Sequence, residues 1–183
     1  MIGLITNDIV GRYVTLRSPV EADAEFALAM RQTPGALKFM PPLNVTMDQQ
    51  RAWINKQHSM EGDYFFVVFN RNDERVGVIG LFDMHDGECE IGRLVMQGTA
   101  IDTIEAHLLV LRFAFGDLKL KKVVGYIYPD NDSALRLSKM FDAEMGKPAL
   151  GSIKTFDCLS ASYYPDKFVE TEKKIVKLIY RRR

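Results

Sequence analysis

Residues 88–115, ECEIGRLVMQGTAIDTIEAHLLVLRFAF, decide how the rest of the chain is read. The stretch opens as a short apolar strand, Glu88 to Met96, passes a small-residue turn, and continues as a strongly hydrophobic helix. Ile101, Ile104, Leu108, Leu111, Phe115 and Leu118 recur at alternating steps of three and four, which places them on one face of a 3.6-residue helix. The other face is apolar too, through Ala106, Leu109, Val110, Phe113 and Ala114. A helix buried nearly all round is therefore predicted. A strand that turns on glycine into such a helix offers free N–H groups and a positive helix end to an anion.

Working outward, Tyr64 to Phe69 (YFFVVF) is a continuous aromatic and β-branched run, as in a strand buried on both faces. A turn cluster separates it from Arg75 to Asp83 (RVGVIGLFD), so the two form an antiparallel hairpin that leads into the strand at Glu88. Upstream, Tyr13 to Arg17 alternates as a strand. Glu21 to Gln32 reads as a helix stopped by Pro34-Gly35, and Phe39 to Pro42 as a bulky loop. Thr46 is placed to cap a second helix that carries Trp53 as a core residue. Downstream, Lys121 to Tyr128 is a strand and Asn131 to Phe141 a helix capped by Asp130-Asn131-Asp132-Ser133. Beyond Asp142, Lys154 to Leu159 and Ile175 to Tyr180 are read as closing strands. Phe168, Glu172, Ile175 and Ile179 also share a helical face, which leaves a C-terminal helix open. The order predicts an α+β class: one mixed, mostly antiparallel sheet with helices on both faces, in a single domain over 1–183.

The 183 residues, 47% hydrophobic and 26% charged, suffice for one core. Lys plus Arg and Asp plus Glu are 24 each, so no global field favours nucleic acid or a membrane surface. No apolar run approaches the roughly 20 residues of a bilayer span. The early acidic and polar residues do not form a signal peptide. With Cys89 and Cys158 in apolar surroundings, a soluble cytoplasmic protein is expected. Three scattered histidines and no cysteine pair predict no metal site. His58 reads as a helix-surface residue, His85 as a solvated turn residue and His107 as a packed or hydrogen-bonded one.

Several ordered patterns resemble the GNAT acyltransferase superfamily. The branch they look most like holds ribosomal-protein N-terminal, spermidine and amino-sugar acetyltransferases. YVTLRSPVEADAEFALAMRQ is similar to its entry strand and first helix, QQRAWI to its second helix, and RVGVIGLFDMHDGECEIG to its hairpin. NDSALRLSKMFDA is similar to the helix that follows the next strand. The resemblance covers roughly residues 12–150. It implies acetyl-CoA as co-substrate, lying between the hairpin's last strand and the strand after the long helix. Pantetheine would then run along the backbone of Leu94, Val95 and Met96. The pyrophosphate would sit on the turn Gln97, Gly98, Thr99, Ala100, Ile101 and Asp102, with Asn131, Ser133 and Arg136 approaching from the following helix.

Within that frame Glu90 is the candidate base, with Glu88 two residues earlier on the same face. The plainer reading of Glu90 is a strand-edge charge paired with Arg93 or a lysine. Backbone N–H groups near Leu94 would polarise the thioester carbonyl. Ser138 stands where the family commonly carries the tyrosine that protonates the leaving thiolate. Tyr126 and Tyr128 would flank the cleft or fill the core. The turn departs from the family pattern: it lacks the second glycine and gains Asp102, read as a capping box with Glu105 that takes helix amides a phosphate would want. The implied acceptor is a small-molecule amine (an amino-sugar nucleotide or a polyamine) or a protein N-terminus. A homodimer that exchanges C-terminal strands is compatible with the architecture. The alternative is a catalytically degenerate GNAT-like binding or assembly module.

Overall fold

The computed structural model describes residues 3–147 and 158–180. Its frame is an eight-stranded sheet: β1 (Ile9–Val10), β2 (Val14–Arg17), β3 (Tyr64–Asn70), β4 (Arg75–His85), β5 (Glu88–Met96), β6 (Lys122–Ile127), β7 (Glu144–Gly146) and β8 (Leu159–Tyr163). The spatial order is β1-β2-β3-β4-β5-β6-β8-β7. Every neighbouring pair is antiparallel except β5–β6, so the sheet is mixed and mostly antiparallel. The parallel pair requires a crossover. It is supplied by α4 (Ala100–Arg112), which widens into a π turn at Phe113–Asp117.

The alternation of β3 divides the core. Phe65, Val67 and Phe69 face α1 (Ala24–Arg31), α2 (Pro34–Phe39) and α3 (Met47–Gln57). Tyr64, Phe66 and Val68 face α4, with α5 (Asp132–Met140) and α6 (Pro165–Ile179) on the same side. Period-two side chains thus feed two apolar layers, and each buried Phe, Val or Leu contributes about 1.5–3 kcal/mol. Helix α4 is buried all round from Glu105 to Leu111, while Ile101 in its first turn is exposed.

Glu105, with 0% exposure, ties three elements together. Its carboxylate accepts the backbone N–H groups of Arg12 (2.8 Å), Tyr13 (2.5 Å) and Val14 (2.7 Å), and the Tyr180 hydroxyl just past α6. A buried carboxylate is tolerable when its lone pairs are met in this way. The predicted Asp102–Glu105 capping box is therefore corrected. The box on α4 joins Thr99 and Asp102, and Glu105, one turn further on, points into the core.

Three other expectations change. Pro34 does not only stop α1: Thr33 caps a short helix in which Pro34 takes the first turn, where its missing N–H costs nothing. Phe39, read as loop, is that helix's last residue. Ile175 to Tyr180 is not a strand. It belongs to α6, which buries Phe168, Thr171, Ile175 and Ile179 at helical spacing. The expected strand from Lys154 falls outside the described residues up to 157, and the observed strand is Leu159–Tyr163. Among the described residues no helix is long and apolar enough to cross a membrane.

Candidate active site

The cleft is made by a bulge. Arg93 adopts φ +54°, and the β4–β5 register slips between Gly80↔Gly92 and Val78↔Val95. A bulged strand bends away from its neighbour. Pairing of β5 with β6 accordingly covers only Glu88↔Lys122 to Glu90↔Val124, although both strands run on. The two splay, and between them opens a cleft of about 680 Å³ whose walls include Glu90–Leu94, Gly125–Tyr128 and α5. The β5 edge beyond Glu90 no longer pairs with β6, so an extended ligand can hydrogen-bond there as an added strand would.

Glu90 lies on the β5 wall, and its Oε1 stands 3.5 Å from where a Cβ on Gly92 would be. That Cβ would also meet the Phe82 ring at 3.2 Å, so glycine keeps this wall open. Glu88 is engaged elsewhere, accepting from Lys122 Nζ at 3.0 Å. Arg93 is bound bidentately to Asp63, at 2.6 and 2.7 Å. Cys89, between the two glutamates, is inert: burial and then the Glu90 charge push its thiol up to about 12.

Ser138 lies on the opposite wall, 4% exposed, and accepts a hydrogen bond from the Tyr163 hydroxyl at 2.9 Å. Burial pushes the Tyr163 phenol up to about 12, with the Ser138 bond acting against it, so the phenol stays protonated. Ser138, as acceptor of that hydrogen bond, keeps its own proton to donate. Beside the pair stands His107, with its ring edge-on to Phe141 and Tyr163 and neither nitrogen hydrogen-bonded. Burial lowers its pKa to about 3, so the imidazole is neutral. Of the two readings for His107, the structure shows the packed one. His58 is half-buried at the end of α3, its Nε2 2.7 Å from the Pro19 carbonyl, rather than a surface residue. His85 is exposed, but it is the last residue of β4 rather than part of the turn that follows.

The other predicted residues divide. Leu94 and Asn131 line the cleft, Asn131 also capping α5 by accepting from Ala134 N at 3.2 Å. Tyr126 and Tyr128 line it too, outside the core, and Tyr128 stacks on Phe39. Val95 turns its side chain into the α1–α3 layer, and Met96 packs on the opposite core. Ser133 and Arg136 do not reach the cleft: both are exposed and face each other at 3.4 Å.

At the turn, Gln97 and Gly98 donate to the Val76 carbonyl at 2.8 and 3.3 Å. Thr99 N donates to Asp102 Oδ2 at 2.7 Å, and Asp102 N to Thr99 Oγ1 at 3.2 Å. The amides of Ala100 and Ile101, at the first two helical positions, have no intrahelical carbonyl to bind. A side chain on Gly98 would strike Asp102 Oδ2 at 2.8 Å, so glycine lets the cap close.

Sequence reading missed Tyr163 and Arg31. Tyr163 arrives on a strand with no clear pattern, and Arg31 is brought to the cleft by α1. Among the described residues no group of three His, Cys, Asp or Glu could hold a metal.

The model of the acetyltransferase (GNAT) domain matches residues 14–143. "Acetyltransferase PseH" of Campylobacter jejuni (strain 81-176) is 23% identical over 117 residues, 63% of this chain and 73% of that protein. Among solved structures, "Apo FdhC- a nucleotide-linked sugar GNAT" superposes with a TM-score of 0.79 at 19% identity, over 96% of this chain and 97% of that one. A chimera of spermidine N-acetyltransferase SpeG from Vibrio cholerae with hSSAT gives 0.69 at 15% identity, over 85% and 98%. The structural likenesses carry the fold, and the domain match carries the family: the chain belongs to the GNAT acetyltransferases, enzymes of the N-acetyltransferase class.

Proposed function

We propose that the chain transfers the acetyl group of acetyl-CoA to a primary amine, the acceptor being a small molecule (an amino-sugar nucleotide or a polyamine) or a protein N-terminus, in the cytoplasm. The observation that carries this reading is the splayed β5–β6 cleft with Glu90 on one wall and the Tyr163–Ser138 pair on the other. The exposed β5 edge suits the amides of pantetheine, and the amides of Ala100 and Ile101 suit a phosphate.

Amines are largely protonated at pH 7, so Glu90, directly or through water, takes the first proton from the ammonium. The nitrogen lone pair then attacks the thioester carbonyl, whose developing oxyanion is met by backbone N–H groups near Leu94. As the C–S bond breaks, Ser138 donates its hydroxyl proton to the departing sulfur and regains one from the second N–H of the former amine. Tyr163 holds Ser138 in the orientation that does this. Protons balance: one leaves to Glu90 and one passes from nitrogen to sulfur.

Titration calorimetry with acetyl-CoA, paired with amine-dependent release of free thiol, tests the proposal. Micromolar binding with thiol release is expected, and binding only at millimolar concentration sinks it.

A further inference from the structure

The cleft has a second cation that its chemistry does not use. Arg31, half-buried at the end of α1, lines both the 680 Å³ cleft and an adjoining cavity of about 480 Å³. Its Nη2 donates to the Pro41 carbonyl at 3.0 Å, while its Nε is buried with no hydrogen-bond partner. Among the described residues no carboxylate pairs with it. Arg93 lines the same two spaces, but Asp63 neutralises it. The second cavity continues past the two guanidiniums between Trp53, Phe65, Leu43 and Gln50. Burial, and secondarily the Arg93 charge, lower the Arg31 pKa. A half-buried cation with no carboxylate beside it favours an anionic ligand.

Resting on the reading of the cleft as an N-acetyltransferase site, we infer that the acceptor is anionic. Its amine reaches Glu90, a phosphoryl or diphosphoryl group lies on Arg31, and a planar group enters the Trp53–Phe65 cavity. Such a molecule is an amine joined to a nucleoside diphosphate. A planar fork that donates two parallel hydrogen bonds suits phosphate, and the aromatic walls suit a base. A polyamine would bring further positive charge against Arg31, so it is disfavoured.

The probes are UDP and uridine, neither of which carries an amine to acetylate. Trp53, the chain's one tryptophan, reports on the cavity by fluorescence. UDP is expected to quench it at submillimolar concentration, with uridine binding at least tenfold more weakly. Arg31→Met should weaken UDP about tenfold to a hundredfold and leave uridine unchanged. Saturating acetyl-CoA should not displace UDP, which separates an acceptor phosphate from those of CoA. Equal binding of UDP and uridine, displacement by acetyl-CoA, or loss of both probes in Arg31→Met overturns the inference. Acetyl transfer to a neutral amine without UDP binding leaves the enzyme reading standing and removes this one. UDP binding with no acetyl transfer to any amine does the reverse.

Discussion

Asp102→Asn separates the capping role of the α4 turn from the phosphate-binding role proposed for it. The wild-type carboxylate accepts from Thr99 N at 2.7 Å and Thr99 Oγ1 at 2.9 Å, closing the cap beside the amides of Ala100 and Ile101. A phosphate on those amides would lie about 5 Å from the carboxylate, a repulsion of roughly 1–3 kcal/mol at effective dielectrics of 80 to 20. The asparagine amide oxygen can still accept both bonds, so the shape persists while the charge goes. CoA should bind about tenfold to a hundredfold more tightly. The helix loses a charge-assisted cap and a favourable interaction with its dipole, about 0.5–1 kcal/mol, or a few degrees in Tm. Calorimetry with CoA at two salt concentrations, alongside thermal unfolding, measures both. The gain should shrink as salt rises. An unchanged or weaker Kd accompanied by the Tm loss would refute the reasoning, since the phosphates would then lie away from this turn.

Glu105→Gln puts an amide N–H₂ among backbone donors that all require an acceptor, so chemical denaturation should show a loss of about 2–4 kcal/mol. His107 makes stability pH-dependent. Its folded pKa of about 3 lies below the unfolded 6.5, so the unfolded chain binds the proton first and stability falls as pH drops from about 6.5 to 3. At pH 4.5 the penalty is on the order of 3 kcal/mol, and His107→Phe should flatten that part of the profile measured by urea denaturation. Tyr163→Phe removes the hydrogen bond that orients Ser138. It should lower kcat about tenfold to a hundredfold with KM for acetyl-CoA nearly unchanged, and steady-state kinetics distinguishes this from a general loss of folded enzyme.

The parts legible in the sequence were those with a strong local period. Helix α4 and strand β5 announced themselves through unbroken apolar spacing, and β3 through an aromatic run buried on both faces. Helix α6 was harder, because IVKLIY is β-branched and aromatic enough to read as a strand. What makes it a helix is the burial of Phe168, Thr171, Ile175 and Ile179 against the core, a tertiary effect. The Thr99–Asp102 cap was misassigned by one turn because Glu105 has the right spacing and the wrong surroundings. Its three donors lie 91 to 93 residues away in sequence. Asp142 holds φ +52° just after α5, secured by Thr171 and Lys174. Glu90 and Ser138 were legible only through the resemblance, since nothing local says that they face across a splay. Tyr163 and Arg31 become site residues only when the fold brings β8 and α1 to the cleft.

The central claim is that acetyl-CoA lies in the β5–β6 splay with its thioester between Glu90 and Ser138. A crystal soaked with acetyl-CoA measures this directly. The account predicts pantetheine along the open edge of β5, phosphates at Ala100 and Ile101, and the sulfur within hydrogen-bonding reach of Ser138 Oγ. Acetyl-CoA seated elsewhere, or its thioester distant from both residues, would contradict it.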